Sequence, residues 1–308
     1  MAKEIRKPDF VWLNGEFIPF DEARVHLLSP CARYGINVFE GLRAYWNDEV
    51  RQLYAFRLRE HYVRLAESMK MMRLQIPQSI EDNIKILIET FQKNNLREDC
   101  HIRHVVYVDG FEGYYSTEPV GMLVCALPAG RFLNIEEGIT ATISSWRRID
   151  DNSIPARIKA GSNYQNSRLA TMWAKKDGYD QPIILNADGK VAEGPGSCFF
   201  MVRKGTVLTP PVTAGILESV TRDSLIQLIS EELRLPMEVR EIDRTEVYVA
   251  EEAFLCGSGY EVTPINSVDR LPLGEGKPGP ITRRIQKAYF DIARGRSPKY
   301  PEWRTAVY

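Results

Sequence analysis

The run Ile158-Lys159-Ala160-Gly161-Ser162-Asn163-Tyr164 sets a lone lysine directly before two small residues. An apolar stretch with a proline, Ser153 to Ile158, leads into it. Helical spacing follows, through Leu169, Met172 and Trp173, with Lys175, Lys176 and Gly178 placed to close the helix. Ser162 and Gln165 read as a capping box at its start. The pattern predicts that Lys159 ends a strand, that Ala160-Gly161 makes a tight corner, and that Tyr164 lies in the first helical turn. A lysine so placed, beside small residues that admit a flat ligand, suits Schiff-base chemistry: burial and nearby cations keep an amine neutral and nucleophilic near neutral pH. Taken alone, the same lysine also reads as a surface side chain at a strand end.

Three further features sharpen the lysine. Glu193 ends a hairpin strand entering the break Gly194-Pro195-Gly196-Ser197, where a carboxylate can meet a cationic heterocycle or simply face water. Arg57 and Arg59 open a helix, the end at which the macrodipole disfavours cations; a bound oxyanion would offset that cost, although surface arginines are common. Ser219-Val220-Thr221 opens another helix, whose first amides and hydroxyl can hold a phosphate or serve as a plain cap. No metal site emerges, because a three-residue separation on a strand puts His101 and His104 on opposite faces. Gly257-Ser258-Gly259 lacks the third glycine of a dinucleotide fingerprint, and no phosphate-binding Gly-x-x-x-x-Gly-Lys motif is present.

The elements that must position these residues can be read in order. Phe10 to Phe20 reads as two strands around Asn14-Gly15. Tyr34 to Tyr45 is dense in glycine and aromatics, and Gln52 to Phe56 reads as a strand. Arg57 to Leu74 has helical spacing with Leu58, Tyr62, Leu65, Met69 and Met72 on one face, and Ser79 with Asp82 caps a second helix running to Asn95. Cys100 to Val108 and Gly121 to Leu127 read as strands, and Pro128 to Asn134 as a connector. The second half continues with a strand from Ile139, hairpins at Asp188-Gly189 and Lys204-Gly205, a helix from Val220 or Thr221 to Leu233, a shorter one at Arg244 to Glu251, a strand at Ala253 to Cys256, and a closing helix from Ile281 to Arg294. Runs of strands broken by runs of helices predict an α+β fold with largely antiparallel sheets. We expect a small N-terminal domain over 1–127, a connector over 128–138 and a large C-terminal domain over 139–308. A net charge of −1 gives no reason to expect nucleic acid or an anionic membrane. Five scattered cysteines and a start, Met1 to Asp9, without an apolar core predict a cytoplasmic protein.

Six pieces in order, Tyr34-Gly-Ile-Asn-Val-Phe-Glu-Gly41-Leu-Arg43, Phe56-Arg-Leu-Arg-Glu-His61, Lys159 to Tyr164, Glu193 to Ser197, Thr221-Arg-Asp and Glu261-Val-Thr-Pro264, span nearly the whole chain. Together they resemble the class IV (fold type IV) pyridoxal-phosphate aminotransferases, close to the branched-chain amino acid enzymes. The resemblance implies the two-domain fold of that group and pyridoxal 5'-phosphate held by Lys159 as an internal aldimine. Lys159 would then move the proton between substrate Cα and cofactor. It also implies Glu193 on the pyridine nitrogen, Tyr164 on the phenolic oxygen and Leu217 on the ring face. Arg59, Val220, Thr221 and Ser258 would hold the phosphate. Tyr34, Phe39, Gly41, Arg103, Phe132, Ser258 and Gly259 match substrate-side positions, with Arg103 a candidate for a substrate carboxylate. The implied reaction is ping-pong transamination between an L-amino acid and a 2-oxo acid such as 2-oxoglutarate, by a homodimer or larger homo-oligomer in which a neighbour's loop completes the pocket. The chain departs from the group at His101, where a tyrosine is common, at Ala129 and Phe132, where tryptophan and tyrosine are common, and at Gly259-Tyr260, which replaces a small pair. These departures predict a donor range broader than leucine, isoleucine and valine. The alternatives are a D-amino acid or (R)-amine transaminase, an eliminating enzyme like aminodeoxychorismate lyase, or a cofactor-binding protein without catalysis.

Overall fold

The structure, a computed structural model, describes residues 6–308; Met1 to Ile5, part of the start read as lacking an apolar core, lie outside them. The first sheet contains β1 (Phe10–Leu13), β2 (Glu16–Pro19), β3 (Asn37–Asn47), β4 (Gln52–Phe56), β5 (Cys100–Val108) and β6 (Val120–Pro128). Asn14 and Gly15, at φ 50° and 112°, supply the left-handed turn expected between β1 and β2. All pairings in this sheet are antiparallel. Helix α1 (Pro30–Tyr34) precedes β3, and α2 (Leu58–Met72) and α3 (Ile80–Lys93) follow β4. The predicted apolar face of α2 is its buried face: Leu58, Tyr62 and Leu65 join Leu42, Ile102 and Val106 of the sheet in one core. Ser79 and Asp82 form the reciprocal capping box at the start of α3.

The second sheet runs through β7 (Ile139–Arg147), β8 (Gln181–Leu185), β9 (Val191–Glu193), β10 (Cys198–Arg203), β11 (Thr206–Thr209), β12 (Met237–Val239), β13 (Glu252–Gly257), β14 (Glu261–Val268) and β15 (Leu271–Pro272). It is mixed: β7 pairs in parallel with β8 and β14, and β11 with β12. Around it lie α4 (Tyr164–Lys176), α5 (Val220–Gln227), α6 (Arg244–Val247) and α7 (Pro280–Ala293). Alternation along β10 sends Phe199 and Met201 into one core and Phe200 and Val202 into the other, so the strand reads as a continuous apolar run. The last strand, β16 (Arg304–Ala306), returns to the first sheet and pairs with β4.

Local structure departs from expectation at the lysine corner. The segment before Lys159 is turns rather than strand: Ser153 and Ile154 both donate to the carbonyl of Asp150, and Pro155 has no N–H to offer a ladder. Lys159 is held instead by its neighbours, with its carbonyl accepting from Phe39 N at 3.0 Å and Ala160 bridging Val38. The Ser162–Gln165 box does not form. Asn163 stands at the N-cap of α4 after a 3₁₀ turn at Gly161–Asn163, and its side chain donates to the carbonyls of Pro155 and Ile158, tying the lysine loop. Further on, α5 passes into a π-helical turn at Leu228–Glu232, and α6 ends at Val247, short of the expected Glu251.

Candidate active site

A cavity of about 980 Å³ is lined from both sheets, and Lys159 lies in its wall at 8% exposure. The main chain fixes the lysine: its N–H donates to Ser68 Oγ at 3.1 Å, on the inner face of α2. Its Nζ donates to Tyr164 Oη at 3.0 Å and lies 5.0 Å from the Phe39 ring centre. Thus β3, the lysine loop and the first residue of α4 bring Phe39, Lys159 and Tyr164 together.

Glu193, at the end of β9, lines the same cavity and is buried. One carboxylate oxygen pairs with Arg148 Nη2 at 2.7 Å, and the other accepts from the Leu217 N–H at 3.3 Å. Burial pushes this carboxyl up, against the pull of Arg148, the Leu217 amide and Lys159. A cation placed against it would lower it again, so the carboxylate is suited to a protonated heterocycle.

The oxyanion end differs from expectation. Arg59 faces away from the cavity: its side chain is 63% exposed and pairs with Glu81. Arg57 is no phosphate ligand either, since its guanidinium meets Glu60 at 2.8 Å and Asp223 at 2.6 Å. Carboxylates, not a phosphate, offset the unfavourable dipole of the α2 N-terminus. The arginine that reaches the cavity is Arg64, one turn further along. It is buried and clamped by Glu40, with Nε and Nη2 at 2.8 and 2.7 Å from the carboxylate, while Nη1 donates to the Glu218 carbonyl. Burial acts to raise the Glu40 carboxyl, but Arg64 and His61 outweigh it and hold it well below the usual carboxylate range. His61 is itself pushed down by burial, so it donates to Glu40 as a neutral ring while Arg64 carries the charge. Ser219 and Val220 at the start of α5 line the wall beside Ser258, whereas Thr221 is buried without lining it.

On the substrate side the wall includes Phe39, Gly41, Arg103, Phe132, Ser258 and Gly259, with Leu217 nearer Glu193. Tyr34 is not part of it; it is 41% exposed at the end of α1, edge-on to Tyr114. Ala129 is buried outside the wall, and its carbonyl accepts from Arg43. Tyr260 does fill wall space, its hydroxyl bonded to Gln181 at 3.0 Å. Arg64, Arg148 and His61 are the residues that sequence reasoning missed. The usable signal was helical phase: His61, Arg64, Leu65 and Ser68 share one flank of α2.

An amine able to form a Schiff base, a buried carboxylate held by Arg148, and an arginine with a helix N-terminus nearby fit pyridoxal phosphate in type. Among the described residues no group of His, Cys, Asp and Glu could hold a metal ion. The family model described as Amino-transferase class IV matches residues 37–268. The chain is 39% identical to a protein of Aquifex aeolicus called probable branched-chain-amino-acid aminotransferase, over 97% of each chain. It is 38% identical to the branched-chain-amino-acid aminotransferase of Escherichia coli, over 98% of each. Among solved structures, the branched-chain amino acid aminotransferase of Thermobaculum terrenum in its PLP form superposes with a TM-score of 0.93 at 42% identity, covering 98% of this chain and 99% of that one.

Proposed function

The chain belongs to the class IV aminotransferases, pyridoxal-phosphate-dependent transferases of fold type IV, and from that premise we propose how its own residues carry out transamination and on which substrates. Its donors are L-amino acids with branched or other hydrophobic side chains, and its acceptors are 2-oxo acids such as 2-oxoglutarate. The names of its relatives support the first choice, and a wall that includes Phe39, Phe132 and Arg103 suits both.

When bound, pyridoxal phosphate supplies a carbonyl carbon for nitrogen transfer and an electron-withdrawing ring. Lys159 takes the proton from the Cα of the donor in the first half-reaction and delivers one to the Cα of the former 2-oxo acid in the second, and Tyr164 Oη, 3.0 Å from Nζ, orients the amine between those tasks. Glu193 keeps positive charge at its end of the cavity, and Arg148 holds the carboxylate in place. Arg64, the start of α5 with its free amides at Val220 and Thr221, and Ser258 take the phosphate. Gly259 leaves room for a carboxylate to approach the main chain. Burial of the site excludes water that would otherwise compete for the proton.

The protein works as a cytoplasmic homodimer in this proposal. Leu27, Phe111, Tyr114 and Tyr115 are 82%, 66%, 72% and 80% exposed, large apolar side chains of a kind that a partner subunit would cover, and Tyr114 stands edge-on to Tyr34. No helix among the described residues is long and apolar enough to cross a membrane.

The observation that carries the proposal is Lys159 Nζ beside Tyr164 in the cavity that also holds the Glu193–Arg148 pair. Purified protein should pass nitrogen from L-leucine and from L-phenylalanine to 2-oxoglutarate, and Lys159→Ala should lose roughly 10⁴-fold in rate. Turnover of Lys159→Ala at the wild-type rate, or transfer from D-amino acids or (R)-amines in place of L-amino acids, would reject it.

A further inference from the structure

The break Gly194-Pro195-Gly196-Ser197 folds the chain back so that Cys198, the first residue of β10, stands directly opposite Glu193 at the end of β9. Gly194 N donates to the Ser197 carbonyl at 2.8 Å and closes that turn. Opposed residues of an antiparallel pair present their side chains on one face, and Cys198 Sγ lies 3.9 Å from Glu193 Oε2. It also lies 3.8 Å from the Leu217 carbonyl oxygen. Leu217 in turn gives its N–H to the same Oε2 at 3.3 Å, so carboxylate, thiol and Leu217 close a ring of contacts, and all three line the cavity.

Burial pushes the Glu193 carboxyl up, toward its neutral form. Arg148 opposes this through one oxygen, Oε1. On Oε2 the donors within reach are the Leu217 amide and the thiol. Independently of Cys198, this part of the wall is short of partners: Ser197 Oγ and Arg148 Nε are buried with none among the described residues. The thiol has one hydrogen and two acceptors, Oε2 and the Leu217 carbonyl. An ionised carboxylate draws the hydrogen to itself, because a charged acceptor binds more strongly than a neutral one. Burial raises the Cys198 thiol to about 12, and the Glu193 charge adds to this against Arg222, Ser219 and Arg64, so the hydrogen stays on sulfur through the neutral range.

We propose that Cys198 is a positioning residue for Glu193: its S–H donates to Oε2 and, with Arg148 and the Leu217 amide, keeps the carboxylate ionised, so that a proton shared with a bound heterocycle rests on the ring nitrogen. Without that donor the buried carboxylate takes a larger share of the proton, and its hold on the ring weakens. Cys198 acts through Glu193 and takes no part in bond making. The inference rests on the pyridoxal-phosphate reading, because the cofactor's ring nitrogen is what gives Glu193 its partner.

The test titrates apoprotein with pyridoxal 5'-phosphate and with its 1-deaza analogue, in which CH replaces the ring nitrogen. Wild type, Cys198→Val and Cys198→Asn are compared, with Cys198→Ala as a second donor-free variant should Cys198→Val not fold. Valine fills the space without a donor; the asparagine amide donates more strongly than a thiol and reaches further. Cys198→Val should bind pyridoxal phosphate roughly fivefold or more weakly than wild type, yet bind the deaza analogue within about twofold of it. Cys198→Asn should hold pyridoxal phosphate at least as tightly as wild type. A packing role predicts the reverse order, with valine tolerated and the larger, polar asparagine not. Cys198→Val binding pyridoxal phosphate as tightly as wild type, an equal loss with both ligands, or Cys198→Asn as weak as Cys198→Val would each overturn the proposal. Failure of the cofactor reading would register separately, as wild-type protein that borohydride does not join to pyridoxal phosphate at Lys159.

Discussion

Arg64 and Arg59 share one helix, yet only Arg64 lines the cavity. Arg64 keeps a buried two-point contact to Glu40, while Arg59 lies exposed against Glu81. Charge-assisted contacts from a buried, pre-oriented guanidinium count far more than an exposed pair in water. Arg64→Lys, which keeps the charge but loses the fork, should therefore weaken cofactor retention roughly 10- to 100-fold. Arg59→Ala should change it by no more than about twofold. Titrating each apoprotein with pyridoxal phosphate and following absorbance decides it; equal weakening in both variants would return the phosphate to the end of the helix. The sequence pointed to Arg59, which the structure keeps out of the cavity wall, for a physical reason. A cation at a helix N-terminus looks anomalous, but nearby carboxylates resolved that anomaly from elsewhere in the chain, through Asp223 and Glu81. Lys159, Tyr164 and Glu193 were legible because each adjoins small residues or a sharp break; Arg148 follows a strand end with no such mark.

Among the elements, α2 against β5 has the clearest pH dependence. His104 points from β5 into this interface, on the opposite side from His101, with Nδ1 3.3 Å from Tyr62 Oη and Nε2 unpartnered. Burial pushes its pKa down to about 3. The folded value lies below the unfolded one of about 6.5, so the unfolded chain takes the proton first. The stability His104 supplies is thus complete above about pH 6.5 and drains away as pH falls toward 3, on the order of 2 kcal/mol by about pH 5. His61 and His101 shift in the same direction and add to the slope. Denaturant midpoints at about pH 7.5 and pH 5 should differ less in His104→Gln than in wild type; an unchanged difference would mean His104 is protonated in the fold. Elements of this kind, long and periodic, were the part of the fold that sequence revealed best: α2, the Ser79 cap and the Asn14-Gly15 turn all formed as expected. The lysine corner was misread because Asn163 reaches backward to Pro155 and Ile158, a contact that no spacing rule for a capping box contains.

At the scale of the whole molecule, the chain's end closes onto the element that carries Arg64. Trp303 is buried, edge-on to Phe56 at 5.9 Å and 5.0 Å from the Arg57 guanidinium carbon, and its carbonyl accepts from Arg57 N at 2.7 Å. Arg57 takes a left-handed φ of 49° at the N-cap of α2 and reaches across to Asp223 and Ser224 of α5. A single arginine therefore joins the C-terminal segment, the helix bearing His61 and Arg64, and the helix whose first residues line the oxyanion end. Such a strained cap persists only where surrounding contacts enforce it. Removing the indole by Trp303→Ala forfeits roughly 3–5 kcal/mol of packing, which for a chain of this size lowers the melting temperature by roughly 5–15 °C. It should also loosen α2 at its start, so cofactor retention should fall with it. The ranking of amino donors should stay the same, because Phe39, Arg103 and Phe132 are set by β3, β5 and the connector. Thermal melts, cofactor titration and a donor panel on the same variant separate these outcomes. A changed donor ranking with unaltered cofactor affinity would show that the C-terminal segment acts on the substrate wall and not through Arg57.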